Sequence, residues 1–300
     1  GYGELQTFVS NNTGIYEGST LSTISIAIVP LIWWAARFTT LFPRGPLVNL
    51  FCAALTFAAL LIPIGTQTRT GLLCIALLAV LLLRSVKRRF LYLTLACLVA
   101  VAAIPFLPKS YTERMSLIEN HKSDQSASTR VAVWMWTLDY VKDHPFGGGF
   151  DAYRGNRILV PTVRAEGSDN NVTVKTDYNV DQGRAYHSAY FEMLGEQGYV
   201  GFGLWAWIQT LGIWQMARLR RRWKDRTGPD NGWIAPLANA LQISQLIYFL
   251  GALFVGIAFQ PVMLTIIALQ CGLWSYCRRI DAPAQRPVLT GPNRLVVHPA

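Results

Sequence analysis

Seven runs of apolar residues punctuate the chain, at 21–42, 46–64, 70–83, 90–107, 199–217, 233–259 and 262–276. Most approach the roughly 20 residues that cross about 30 Å of hydrocarbon. Inside a bilayer no water satisfies backbone N–H and C=O groups, so a span must make its own hydrogen bonds, and a continuous apolar run does so as a helix. The expected fold is therefore all-α, a polytopic helical membrane protein of seven spans. Composition agrees, with 52% hydrophobic and 15% charged residues, against roughly 25% charged in a soluble domain. The third run is short, and spans if it extends upstream through Gly65 or if Arg84 snorkels to the interface. Only Gln260 and Pro261 separate the last two runs, which favours a tight hairpin over one long Pro-kinked segment.

The formal charge of +10, from 27 Lys and Arg and 17 Asp and Glu, is distributed by topology. Placing the segment 84–89 in the cytoplasm, as the positive-inside rule requires of a short basic loop, fixes the side of every other loop. The basic run 218–226, the 37–44 loop and the tail from Arg278 all fall on that side. The inner face then holds 16 Lys and Arg with 3 Asp and Glu, the outer face 11 with 14. Nucleic acid would need basic residues interleaved with aromatics on one surface, which this partition does not supply, so no nucleic-acid partner is expected. Cys52, Cys74, Cys97, Cys271 and Cys277 lie within or at the ends of runs without CxxC spacing, arguing against disulfides or a cysteine metal site. The chain opens on Gly1 with a polar stretch on the outer side and no signal peptide, and reads as a fragment of a longer protein.

The layout is an N-terminal part with four spans (1–107), an outer loop (108–198), three spans (199–277) and a cytoplasmic tail expected to be disordered (278–300). An outer segment of that length is more than a connector. Its opening, 108–124, reads as a short helix or turn against the membrane surface. Thr129 suits the N-cap of a helix ending at Asp143. Val131, Trp134, Leu138 and Val141 give that helix an apolar face to pack on the span tops. His144-Pro145 stops it, and Gly147 to Gly149 reads as a hinge rather than a phosphate loop, lacking a GKT or GKS ending and a preceding strand. Residues 151–183 carry no periodicity and read as mobile loop. Order returns at Tyr186, where His187, Tyr190, Phe191 and Leu194 share a helical face until Gly195 and Gly198 interrupt it. The sequons at Asn11 and Asn171 read as inert.

Four outer residues carry candidate chemistry. Arg69, at the head of the third run, is either an interfacial anchor or an anion contact aided by a helix N-terminus and flanking hydroxyls. Arg130 falls in the first turn after Thr129, where the helix dipole disfavours a cation, so either an anion or Asp124 compensates it. Arg184 stands three residues before His187 and would add a third cation. His187 has the side chain best suited to general-base work near neutral pH. A zinc site there is not expected, because no second His lies at helical spacing and Glu192 and Glu196 project elsewhere. His121 and His144 sit in turn-like contexts and are assigned no role.

The strings Phe106-Leu107-Pro108 with Glu113-Arg114-Met115, then Ser126-Ala127-Ser128-Thr129-Arg130, then Pro145-Phe146-Gly147-Gly148-Gly149-Phe150, and above all the unbroken stretch from His187-Ser188-Ala189-Tyr190 to Gly198-Tyr199-Val200-Gly201, resemble the bacterial O-antigen ligase and polymerase superfamily. The nearest branch is the O-glycosylation ligases associated with exosortase A systems. Thr66 to Gly71 resembles the family's threonine, serine, arginine and glycine motif, departing at Thr68 and Thr70 but keeping Arg69. Family members usually carry ten or more spans, so the resemblance implies that opening spans are absent here. It implies an inverting, metal-independent glycosyltransferase without cofactor in the bacterial inner membrane, with its active site on the periplasmic face. The donor would be an undecaprenyl-pyrophosphate-linked glycan. The acceptor would be a hydroxyl of lipid A core, glycan or protein. His187 would be the base, and Arg69 and Arg130, with Arg184 in addition, would bind pyrophosphate. A polymerase of the same superfamily and a lipid-linked glycan transporter remain the alternatives.

Overall fold

A computed structural model describes residues 17–40, 43, 45–84, 87–91, 94–95, 98, 125–166, 173–226, 228 and 230–281. Most of the fourth apolar run, the 108–124 segment with His121 and Asp124, both sequon asparagines and the chain beyond Asp281 lie outside the described residues. The described elements run α1 (Gly18–Phe38), α2 (Pro46–Gly65), α3 (Arg69–Leu83), α4 (Gln125–Asp143), β1 (Arg157–Glu166), β2 (Thr173–Gln182), α5 (Ala189–Trp223), α6 (Ile234–Ala252) and α7 (Pro261–Asp281). The chain is predominantly helical, and α1, α2 and α6 are each long and apolar enough to cross a membrane. These are the features of a helical membrane protein. The shorter apolar α3 begins at Arg69, since Gly65 belongs to the end of α2.

Helix α6 is the centre of the bundle, packing on α1, α3, α5 and α7. At its middle, the buried Gln245 is held by glutamines of the neighbouring helices. Gln245 Nε2 donates to the Gln209 backbone carbonyl at 3.0 Å and to Gln209 Oε1 at 2.9 Å. Gln270 Nε2 donates to Gln245 Oε1 at 2.7 Å, so three glutamines tie α5, α6 and α7 through their apolar middle. An amide left unpaired there would carry its full desolvation cost. Close approach is arranged by small residues. A Cβ at Gly251 of α6 would lie 2.3 Å from the Thr23 side chain of α1.

The sixth and seventh runs form two helices, as favoured, but the turn between them is longer than the pair Gln260-Pro261 and covers 253–260. Two readings of the outer segment are corrected. Residues 151–183 are ordered in large part: a short 3-10 turn at Ala152–Gly155 leads into an antiparallel ribbon pairing Arg157 with Gln182 through to Glu166 with Thr173. At the described end of the ribbon Ile158 is buried while Leu159 and Val180 are exposed, and cross-strand pairing defines the two strands. Helix α4 starts at Gln125, four residues before Thr129. Its buried stripe is Val133, Thr137 and Val141, whereas Val131 (54% exposed) and Leu138 (40%) face outward. The polar Thr137 escaped notice as a core residue because its hydroxyl is satisfied within the helix, by the Val133 carbonyl at 2.8 Å. Helix α4 packs on the head of α5 at Tyr186 and Phe191, as expected of a span top, and in addition covers Ile158 of β1.

The tight α1–α6 contact sets a stability test. Gly251→Ala should destabilise the protein by about 1–3 kcal/mol through overpacking. Gly272→Ala, with nothing within 4 Å of its added methyl, should not. Thermal unfolding of both variants in the same detergent compares them directly.

Candidate functional site

The helix heads meet at one end of the bundle, opposite the arginine-rich end. Glu17 is extended and precedes α1, accepting the Leu21 N–H at 3.0 Å. Gly18 lies against the turn between α2 and α3, where an added Cβ would stand 3.0 Å from Thr66 and 3.4 Å from Thr68. Ser22 Oγ is 2.8 Å from both Thr66 Oγ1 and Thr68 Oγ1. Gln67 takes a left-handed φ of 51°, which swings the chain into α3 with half-buried Arg69 as its first residue. The hydroxyls around Arg69 thus fix the turn that presents it.

The second half of the site hangs from a break in α5. Gly198 has φ 65° and ψ −167° inside an otherwise helical run, which frees backbone groups on both sides. The chain after α4 takes them up. Gly148 N–H donates to Gly195 O and Gly149 N–H to Glu196 O, each at 3.0 Å, and Tyr199 N–H donates to Pro145 O at 2.9 Å. Asp151 N–H donates to the Glu196 carboxylate at 3.0 Å. The glycines are needed for closeness, since a Cβ at Gly147 would fall 2.3 Å from Glu196 O and one at Gly198 would fall 2.2 Å from Pro145 O. The expected hinge is instead a docked joint, and Gly195 sits within regular helix rather than interrupting it.

From this joint the ribbon leads back to His187. Asn156, fully buried, donates its side-chain amide to Arg184 O at 2.7 Å and accepts the Arg184 N–H on Oδ1 at 3.0 Å. Trp134 Nε1 donates to Tyr186 O at 2.8 Å, and its ring stacks on Phe191 with centroids 4.9 Å apart. The residues on either side of His187 are therefore pinned. His187 itself is not on the helical face expected of it: it precedes α5 in a left-handed conformation, φ 48°. Its Nδ1 is 3.7 Å from Glu17 Oε1.

Two of the four sequence candidates are linked by this route, because His187 meets Glu17, Glu17 adjoins Gly18, and Gly18 packs on the threonines that hold Arg69. Arg130 is half-buried one turn before Trp134, on the face turned toward Tyr186. It lies in the second turn of α4 rather than the first, so the dipole penalty read from the sequence does not apply there. Arg184 ion-pairs with Asp181 of β2, which makes it part of the ribbon's anchorage.

Two carboxyls in this region were absent from the sequence reading as contributors. Glu17 carried only the weak signal of an acid just ahead of the first apolar run. Glu192 accepts the Ala258 N–H of the α6–α7 turn at 3.0 Å and is held with its carboxyl pushed up to about 7, first by burial and then by the nearby Glu196. Burial also raises the Tyr186 phenol, whose ring lies against Gly195.

A family model described as O-antigen ligase matches residues 54–206, just over half of the 300-residue chain. A second, described as a family of unknown function, matches residues 1–40, which include Glu17. No curated protein and no solved structure matches.

Glu192 gives the outer end a pH dependence of defined sign. Its folded pKa lies above the ordinary 4.5, so the protonated form favours the folded state. That stabilisation is complete below about 4.5 and is lost as pH rises through about 7. The unfolding temperature should fall across this window, and Glu192→Gln should flatten the profile. An identical profile in the variant would refute the assignment.

Proposed function

The chain belongs to the O-antigen ligase family, and from that membership we propose that its joined helix heads form a periplasm-facing centre for lipid-linked glycan transfer. The reaction is ligation: an acceptor hydroxyl attacks the anomeric carbon of a glycan carried on undecaprenyl pyrophosphate. The new C–O bond forms as the bond to the pyrophosphate oxygen breaks, and attack from the opposite side inverts the anomeric centre. The observation that carries this reading is the approach of His187 to the Glu17 carboxylate, whose neighbour Gly18 packs on the turn that presents Arg69, at the N-terminal ends of α1, α3 and α5.

His187 takes the acceptor proton, and the Glu17 carboxylate facing Nδ1 fixes the ring and offsets the positive charge the imidazole acquires. The departing pyrophosphate gathers negative charge. The Arg69 and Arg130 guanidiniums bind it, and the N–H groups at the helix heads add to the same field. No metal is required in this scheme. Arg184, held by Asp181, acts mainly by holding the backbone before His187.

In proteoliposomes supplied with a fluorescent lipid-linked glycan and an acceptor, His187→Ala should slow transfer by about 10²–10⁴-fold. Arg69→Ala and Arg130→Ala should each cost about 10²–10³-fold. Glu17→Gln should lower the rate while donor binding persists. Transfer at the wild-type rate by the His187 variant would sink the mechanism. Elongation of the lipid-linked donor without added acceptor would identify a polymerase instead.

A further inference from the structure

At the far end of the bundle from His187, α5 and α7 carry a groove that the transfer reaction does not use. Trp214, Ala217, Arg218, Arg221 and Arg222 follow one another at helical spacing along one face of α5 and line a cavity of about 550 Å³. A second cavity, about 290 Å³, adjoins it through Arg218 and Arg222 and is closed by Trp274, Cys277 and Arg278 of α7. Trp214 and Trp274 meet across the groove with ring centroids 6.1 Å apart, and the Arg218 guanidinium lies over Trp214 at 5.3 Å.

The charge in this groove is not balanced from within. Asp281 is its one lining carboxylate, and it is shared by Arg222 at 3.1 Å and Arg226 at 3.4 Å. Among the described residues no carboxylate comes within ion-pair distance of Arg218, Arg221 or Arg278. A positive-inside bias needs only that basic residues lie on one side of the membrane; it does not gather three such arginines around one hollow.

Below the arginines the same two helix faces turn apolar. Leu204, Trp207 and Trp214 form an exposed stripe on α5, and Leu264 and Cys271 lead along α7 to Trp274 and Arg278. Arginines above an aromatic pair above two apolar stripes match, in order, a phosphate, a glycerol level and acyl chains. We propose that this groove binds the phosphate of an anionic glycerophospholipid from the adjoining leaflet, with its chains along α5 and α7. A free phosphate would leave the stripes unused and would meet arginines screened by water. At the hydrocarbon edge the lower dielectric strengthens the same contacts.

Native mass spectrometry of the whole protein in mild detergent, titrated with phosphatidylglycerol or phosphatidylcholine, tests this. The wild type should retain one phosphatidylglycerol with a preference of about tenfold or more, as several arginines near one headgroup allow. Combined Arg218→Gln, Arg221→Gln and Arg278→Gln should abolish the preference. Arg88→Gln with Arg89→Gln, at another basic segment, should leave it intact. Arg278→Gln alone, at an exposed position, gives the same reading if the triple variant fails to fold. Equal retention of the two lipids, retention unaffected by Arg278→Gln, or displacement of phosphatidylglycerol by inorganic phosphate would each overturn the proposal.

Discussion

The break at Gly198 is the joint on which the outer half of the molecule depends. A straight α5 would have used the Gly195 and Glu196 carbonyls internally. The left-handed residue releases them, and the Gly148 and Gly149 amides occupy them while Pro145 O takes the Tyr199 N–H. One backbone irregularity thereby fastens the end of α4 to the helix that carries His187 at its head. Trp134 then holds Tyr186 O, and Asn156 holds Arg184, so two further contacts remote in sequence set the position of the histidine.

Helix polarity gives the protein its electrical asymmetry. Helices α1, α3, α5 and α7 all begin at the His187 end, where unpaired N–H groups favour anions. Three of them finish with cations in the last turn, Arg37, Arg220 to Arg222, and Arg278 with Arg279, where C-terminal carbonyls favour positive charge. One direction of chain travel therefore supports an anion-binding head and an arginine-bearing foot. The glutamine contacts between Gln209, Gln245 and Gln270 keep the helices in register without placing a charge in the hydrocarbon.

Much of the bundle was legible because burial in lipid imposes long apolar runs, and α1, α2, α3 and α6 fall close to the runs that announce them. Arg69 was found at its place at the head of α3 for the same reason: a cation at the edge of an apolar run stands out. The details of the outer segment were legible only in part. A two-stranded ribbon is defined by pairing between residues up to 25 positions apart, which no local pattern announces. The face of α4 is legible at Trp134 and Val141, which pack inward, but not at Val131 and Leu138, because the buried stripe runs through Thr137, whose polarity hides it from any apolar count.

By itself the sequence determined the helical membrane class, the gathering of basic residues toward one end, and the presence of arginines and a histidine at the edges of the apolar runs. These follow from local rules, since hydrocarbon thickness and charge partition act on contiguous residues. Tertiary structure alone decided that Glu17 faces His187, that Arg184 is committed to Asp181, and that the glycines after Pro145 seat on the Gly198 break. Most of these contacts join residues far apart in the chain, and even the pair Arg184 and Asp181 takes its meaning from the Asn156 anchor 28 positions away. Close packing and backbone hydrogen-bond demand, which no residue carries alone, select those partners.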